Sequence, residues 1–260
     1  MTPTRNGRAG RAVPRSDDWA AQDSPGGVPA HRTLAEKAFI SLHDAILTGK
    51  LLPGERIPIE DLAAALQMSP MPVREAIRRL DSIGLVENVP HKGARITELS
   101  VGDLFEIYEA RISLEPLAIA RAARRFTPED EARARALLRT MRTKPAGSDG
   151  LWRAHSELHM GLYRTAASAW MLRLIRPLWE SSERYRLAMS RPAGGARYVR
   201  LHEILVEACV RHEPRRAAFE LHNHLVTTAN SLARQLGSEP LFSLAEGGEL
   251  VPPALEYELP

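Results

Sequence analysis

From Thr33 onward, apolar positions recur at helical spacing along nearly the whole chain. Leu34, Ala38, Leu42, Ala45 and Ile46 make one stripe, with Thr33 placed to cap it and Gly49 to end it. Pro53-Gly54 mark a turn, a short helix is expected over Glu60 to Leu66, and another from Ser69 to about Ile83, stopped by Gly84. Strand-like patterning occurs in one place, where Leu85 to Val89 and Ala94 to Thr97 flank Pro90-His91-Lys92-Gly93, a small hairpin. After Ser100 the spacing predicts helices over about 100–124, 128–142, 149–166, 169–190, 196–212 and 214–236. The breaks between them are short, such as Lys144-Pro145-Ala146-Gly147 and Pro192-Ala193-Gly194-Gly195, so the helices should form an antiparallel bundle. The expected fold class is mostly α, with a boundary between the two parts near residues 97 to 101.

Both ends break the pattern. Residues 1–30 carry Pro3, Pro14, Pro25 and Pro29 among glycines and scattered charges. Residues 237–260 hold Glu239, Glu246, Glu249, Glu256 and Glu258, four prolines and no Lys or Arg. Neither end has the apolar surface to offset its ordering entropy, so both are expected to be flexible tails. Across the 260 residues, 44% are hydrophobic and 26% charged, an ordinary globular balance. The single cysteine, Cys209, excludes a disulfide framework and a thiolate zinc site. Without an apolar run of about 18 residues, or one behind the N-terminal arginines, the chain reads as soluble and cytoplasmic, with no membrane partner. A net charge of +3 permits nucleic-acid binding without requiring it.

The segment Ile59 to Ile83 has helix-turn-helix proportions. Leu62, Ala63 and Leu66 point inward, Gln67-Met68 form a tight link, and Ser69 then stands at an N-cap with Pro70 at the first helical position. Val73, Ile77 and Leu80 share one face of the second helix, opposite Arg74, Arg78 and Arg79. Such a helix fits the major groove, and its arginines suit phosphates and guanine edges. His91, Lys92 and Arg95 around Gly93 give the hairpin the length and charge of a wing. Spacing alone fits equally an ordinary helical protein with a solvated arginine face.

Particular wording goes further. Gly49 to Arg56 (GKLLPGER), Asp61 to Ala64 (DLAA), Ser69 to Ala76 (SPMPVREA), Leu80 to Val86 (LDSIGLV) and Lys92-Gly93-Ala94 follow one another over residues 46–95. In this order they closely resemble the DNA-binding domain of GntR-family transcription regulators. The resemblance implies a winged helix-turn-helix over 31–98, made of three helices plus the β-hairpin wing. It also implies that Ser69, Met71, Arg74 and Arg78 contact double-stranded operator DNA, with His91 and Lys92 on the wing and Gly93 letting the wing approach the minor groove. One departure stands out: relatives have an arginine directly after the serine, whereas this chain has Pro70, which has no side-chain donor.

Six of the nine histidines lie between 155 and 224. His155 and His159, at i and i+4, project from one face about 6 Å apart and border the stripe Leu151, Leu158 and Leu162. His202 borders Leu201, Ile204, Leu205 and Ala208, and His224 borders Leu221, Leu225 and Thr228. These four could converge at the edge of a bundle core and hold a metal. They could equally be separate, partly buried histidines bonded to water or a neighbour.

Residues 100–232 resemble FCD, the all-helical effector-binding domain of the FadR subfamily of GntR regulators. The resemblance is carried by Asp103 to Leu117 (DLFEIYEARISLEPL), His155 to Leu162 (HSELHMGL), His202 to Ala208 (HEILVEA) and Ala217 to Leu225 (AAFELHNHL). It places His159, His202 and His224 on three metal-ligand positions and His155 where an aspartate is usual. Losing that negative charge favours a divalent transition metal such as zinc or nickel over magnesium or manganese. Arg111 matches an arginine that helps hold an effector carboxylate, although an ion pair with Glu115 at i+4 would account for it too. The expected protein is a homodimeric, ligand-responsive repressor of a palindromic operator with a small organic acid as effector; the same regulator without a metal is the first alternative. A metal-dependent bundle enzyme is the second, and the spacing opposes it. His155-Ser156-Glu157-Leu158-His159 puts its glutamate two residues after the first histidine, about 200° round the helix, whereas the zinc-protease helix needs it immediately after.

Overall fold

The computed structural model describes residues 33–252 other than 48, 90–92, 166–168 and 190–194, with backbone alone for 195–197. The expected tail 1–30, the wing residues His91 and Lys92, and Pro192 to Gly194 lie outside the described residues. The chain divides into two compact units between Thr97 and Glu98.

The first unit contains α1 (Leu34–Leu47), α2 (Ile59–Ala65), α3 (Pro70–Asp81), β1 (Val86–Val89) and β2 (Gly93–Ile96). Thr33 caps α1 as expected, its hydroxyl accepting from the Glu36 amide at 3.1 Å. Helix α1 packs on α3, so that Ala38, Leu42 and Ala45 share one core with Val73, Ile77 and Leu80. Burying each large aliphatic side chain here contributes about 1.5–3 kcal/mol. Strands β1 and β2 pair antiparallel in the register Val86↔Ile96 to Val89↔Gly93. The free edge of β2 is covered by a segment whose spacing marks only a turn. The Gly54 and Ile57 amides donate to Ile96 and Ala94 at 2.8 and 2.9 Å, and the Ile96 amide donates to Glu55 at 2.9 Å. Those few residues after Pro53 are too short to show a strand pattern.

The second unit is a bundle of α4 (Val101–Arg124), α5 (Pro128–Thr143), α6 (Asp149–Arg164), α7 (Ala169–Met189), α8 (Gly195–Val210) and α9 (Pro214–Gln235). Ser100, Thr127 and Ser148 cap α4, α5 and α6 through their hydroxyls, and Thr127 with Asp130 forms a reciprocal capping box. Helix α4 is central: it lies along α9 and also packs on α6, α7 and α8. Tyr185 of α7 ties down its first turn, donating to the Asp103 carboxylate at 2.5 Å and accepting from the Ser100 amide at 3.2 Å.

The expectation of a flexible acidic tail from 237 is corrected over residues 238–252. Asn230 of α9 accepts from the amides of Leu241 and Phe242 at 2.8 and 3.1 Å and donates to the Phe242 carbonyl at 2.8 Å. Asn223, two turns earlier, accepts from the Ala245 amide at 2.8 Å, and the Phe242 ring stacks on Phe105 at 5.1 Å. Two asparagines thus satisfy a backbone that has no regular partner of its own. Asn230→Ala is expected to lower stability by about 1–3 kcal/mol, because two amides lose their acceptor. Denaturant unfolding measures the loss, and hydrogen exchange at Leu241 and Phe242 should accelerate with it; unchanged exchange would contradict the assignment.

Candidate functional site

In the first unit, α3 presents one buried and one open face. Val73, Ala76, Ile77 and Leu80 are inward, while Ser69, Met71, Arg74 and Arg78 are exposed. Met71 is 65% exposed, far more than a methionine with a core role would be. Ser69 occupies the N-cap position, but its side chain makes no capping hydrogen bond; Pro70 follows it in the first turn. Arg74 lies 3.2 Å from Glu60, a solvent-exposed pair worth little in water and easily exchanged for a phosphate or a base. Arg79 is used differently: its guanidinium sits 4.1 Å over the Phe39 ring and 3.8 Å from Glu36, fastening α3 to α1. Gly93, the first residue of β2, has φ +82°, a conformation that strains any side-chain-bearing residue.

In the second unit the structure brings His155, His159, His202 and His224 together. One ring nitrogen from each lies within 4.8 Å of the others. Their ring centroids are 4.6 Å apart for His155–His159, 5.1 Å for His159–His202 and 5.0 Å for His202–His224. They come from α6, α8 and α9. Their position differs from expectation in depth: His155, His159 and His202 are at most 1% exposed, inside the bundle rather than at its edge. Aromatic residues on α7 and α8 close over them, with Trp179 4.8 Å from His159 and Tyr198 5.7 Å from His155. The other two histidines of the sequence cluster lie elsewhere. His212 hydrogen-bonds the Ala123 carbonyl at 2.8 Å, and His222 is half-buried away from the four.

Hydrogen bonds fix which nitrogen of two rings carries the proton. Tyr163 donates to Glu115 at 2.7 Å, so its oxygen is left to accept from His159 Nδ1 at 3.1 Å. His202 Nδ1 faces the Tyr198 carbonyl at 2.8 Å and must donate to it. Both rings therefore hold their Nε2 lone pairs bare, and both Nε2 atoms are buried without a hydrogen-bond partner. A neutral imidazole oriented by a second hydrogen bond, its other nitrogen open, is the arrangement metal-binding histidines adopt. Burial holds all four imidazoles below their usual range and nearby Arg186 adds to it; His202, despite its hydrogen bond to the Tyr198 carbonyl, is lowered to about 4. Ligands of one tetrahedral zinc at about 2.0–2.1 Å lie about 3.4 Å apart, so nitrogens within 4.8 Å of one another must draw in by about an ångström to share an ion.

Around the histidines lies a set of buried charges whose links between helices spacing along the chain does not show. Arg111 bonds Glu115 at 2.6 and 3.1 Å and Ser182 at 2.7 Å, the i+4 pairing being one of the two roles open to it. Its guanidinium also stacks 4.7 Å from Trp179. On α7, Arg186 pairs with Glu183 at 2.9 Å and donates to the Tyr198 hydroxyl at 3.0 Å. Arg186 Nη1 is 3.2 and 3.3 Å from the two nitrogens of His155. A neutral imidazole carries a lone pair on only one nitrogen, so Arg186 can donate to just one of the two and must turn aside for His155 to hold a metal. Glu183 also accepts from the Trp152 indole. One local signal could have flagged these residues: Glu183–Arg186, His159–Tyr163 and Tyr198–His202 all repeat at three or four residues beside an apolar stripe. Glu157 is exposed, away from the cluster, which removes the zinc-protease arrangement.

Comparison with known proteins agrees with both halves. Residues 34–96 match the bacterial regulatory proteins of the gntR family, and residues 106–227 match the FCD domain. The HTH-type transcriptional regulator BphR of Paraburkholderia xenovorans is 31% identical over 231 residues, covering 85% of this chain and 94% of that protein. The Nta operon transcriptional regulator of Aminobacter aminovorans is 31% identical over 65% of this chain and 80% of its own length. Among solved structures, Escherichia coli McbR/YncC shares the fold with a TM-score of 0.69 at 23% identity, covering 79% of this chain and all of that one. No helix among the described residues is long and apolar enough to cross a membrane. The relatives are transcriptional regulators and not enzymes, and this chain belongs to the GntR family of transcriptional regulators, with an N-terminal helix-turn-helix domain that binds DNA and an FCD domain that binds effectors.

Proposed function

We propose that the protein is a cytoplasmic, homodimeric repressor that reads a palindromic operator through α3 and the wing, and that senses a small carboxylate in a metal-containing bundle. The observation that carries the sensor is the pair of buried Nε2 lone pairs on His159 and His202 with no partner. Leaving such groups unsatisfied costs about 1–3 kcal/mol each, so they point to a ligand that completes them. His155, His159, His202 and His224 would hold one divalent transition metal, zinc or nickel, which when bound supplies positive charge for a carboxylate oxygen. Four neutral imidazoles leave that charge uncompensated. Arg111, already balanced by Glu115, is the second candidate anchor for the effector, through the guanidinium hydrogens not directed at Glu115 or Ser182.

On the DNA side, Ser69, Met71, Arg74 and Arg78 would face the major groove, while Gly93 lets the loop carrying His91 and Lys92 approach the minor groove. Two such helices in a dimer set half-sites about one helical turn apart or less. Repression would follow from an operator-bound dimer excluding other proteins from the overlapping DNA. Arg74→Ala is expected to weaken specific binding by about 1–3 kcal/mol. An equal loss on operator and random DNA, in a titration of both, would reduce Arg74 to a phosphate contact.

For the bundle, protein purified without chelator should contain about one equivalent of transition metal per chain by elemental analysis. His202→Ala should lose the metal and melt lower than wild type, without losing DNA affinity in the absence of effector. A metal-free wild type whose melting temperature is indifferent to chelator would return the four histidines to a purely structural role.

The histidines also set a pH dependence for the metal-free protein. Their folded values lie below the unfolded value near 6.5, so the unfolded chain binds more protons than the folded one as the medium becomes acid. Their stabilising contribution is fully present above about 6.5 and is lost as pH falls through the folded values, about 4 for His202. In chelator, unfolding free energy should therefore fall steadily from pH 6.5 to 4.5. His202→Gln should show a shallower slope, by up to about 1.4 kcal/mol per pH unit; parallel slopes would show that His202 does not titrate as its burial demands.

A further inference from the structure

One buried group in the bundle is neither paired nor explained by packing. Tyr108, on α4 one turn before Arg111, is fully buried, and its hydroxyl has no hydrogen-bond partner. Its ring is well used, since the Arg111 guanidinium lies 5.0 Å over it and it packs in the main bundle core. Phenylalanine would fill that role equally, so the hydroxyl is surplus to the fold and carries a desolvation penalty. The hydroxyl sits in the field of both buried ion pairs, Arg111–Glu115 and Arg186–Glu183, none of whose hydrogen bonds reaches it. Burial and the two carboxylates raise its pKa against the opposing arginines, so it stays a neutral donor. Arg186, whose charge acts on this hydroxyl, also touches the ring of His155 at 3.2 Å.

We propose that Tyr108 is a ligand-anchoring residue: its hydroxyl donates its hydrogen to an oxygen of a small carboxylate held beside His155, with Arg186 facing the same anion. Arg111 lies on the far side of its own ion pair, its guanidinium bonded twice to Glu115 and once to Ser182, with no bond to a histidine. Arg186 gives one bond to Glu183 and one to Tyr198, and already lies against a candidate metal ligand. Such a site would take only a planar anion small enough to lie between α4, α7 and the histidines. An uncharged isostere would forgo the attraction of the Arg186 guanidinium. This rests on the reading of the bundle as a carboxylate sensor, but not on the metal.

The test is a thermal-shift titration of full-length wild type and Tyr108→Phe with formate, acetate and oxalate, each against sodium chloride at matched ionic strength. Metal content is measured on the same samples. Without ligand, Tyr108→Phe should melt at or above the wild-type temperature, because it removes an unsatisfied buried hydroxyl. At least one anion should raise the wild-type melting temperature, and its half-saturating concentration should be about tenfold higher for Tyr108→Phe, as expected for one hydrogen bond to a charged acceptor. Equal half-saturation in the two proteins, no response of wild type to any of the three anions, or a phenylalanine variant that melts lower without ligand would each overturn the proposal. A Tyr108-dependent response in protein devoid of metal would keep this anchor and reject the metal. Stoichiometric metal with a response indifferent to Tyr108 would do the reverse.

Discussion

The interior of the second unit answers to one requirement: charges buried in an aliphatic bundle must find partners there. Four imidazoles, two carboxylates and two guanidiniums occupy its middle, where an unpaired charge would cost several kcal/mol. The pairings that meet this requirement also fix orientation. Glu115 is held by Arg111 and receives the Tyr163 proton, which obliges Tyr163 to accept from His159 and so bares the far nitrogen of that ring. A chain of four side chains from α4 and α6 thereby sets a tautomer. Tyr198 does the same for His202 within α8.

Charge balance then decides what the seam can accept. Arg111 with Glu115 and Arg186 with Glu183 cancel, and burial keeps the imidazoles neutral, so the seam as folded is electrically even. A family aspartate at position 155 would make it negative. The histidine found there leaves it neutral, so a divalent cation brings an uncompensated charge that an anion answers. The exposed face of α3, which we propose reads DNA, works by the opposite rule. Arg74 and Arg78 are exposed, and the one pair holding Arg74 is weak in water, which leaves both arginines available to phosphates and bases.

Much of this is legible in the order of residues alone. The stripe from Leu34 to Ile46, the Ser69–Pro70 start of α3 and the capping hydroxyls at Thr33 and Ser100 are local signals. They hold because cap and period act within a few residues. The i, i+4 pair His155–His159 and its partners His202 and His224 are visible for the same reason, each beside an apolar stripe. Depth is not visible: a single stripe cannot tell that Trp179 and Tyr198 close over the rings. Nor is the role of Tyr108, or that of Arg186: its spacing from Glu183 suggests an ion pair, but not that it also reaches Tyr198 and His155 on other helices. The segment after 237 misleads for a related reason. Its few apolar residues cannot order it alone, but Asn230 and Asn223, on a helix already built, supply the hydrogen bonds it lacks.

The central claim is that these four buried rings form one coordination shell. X-ray absorption at the zinc edge, on full-length protein loaded with one equivalent, reads that shell directly. The account predicts nitrogen ligands at about 2.0–2.1 Å, with the outer-shell scattering of several imidazoles and no sulfur, since Cys209 is buried with its pKa raised to about 12 and lies outside the histidine group. A first shell dominated by water or carboxylate oxygen without imidazole scattering, or one containing sulfur, would place the ion elsewhere and contradict it.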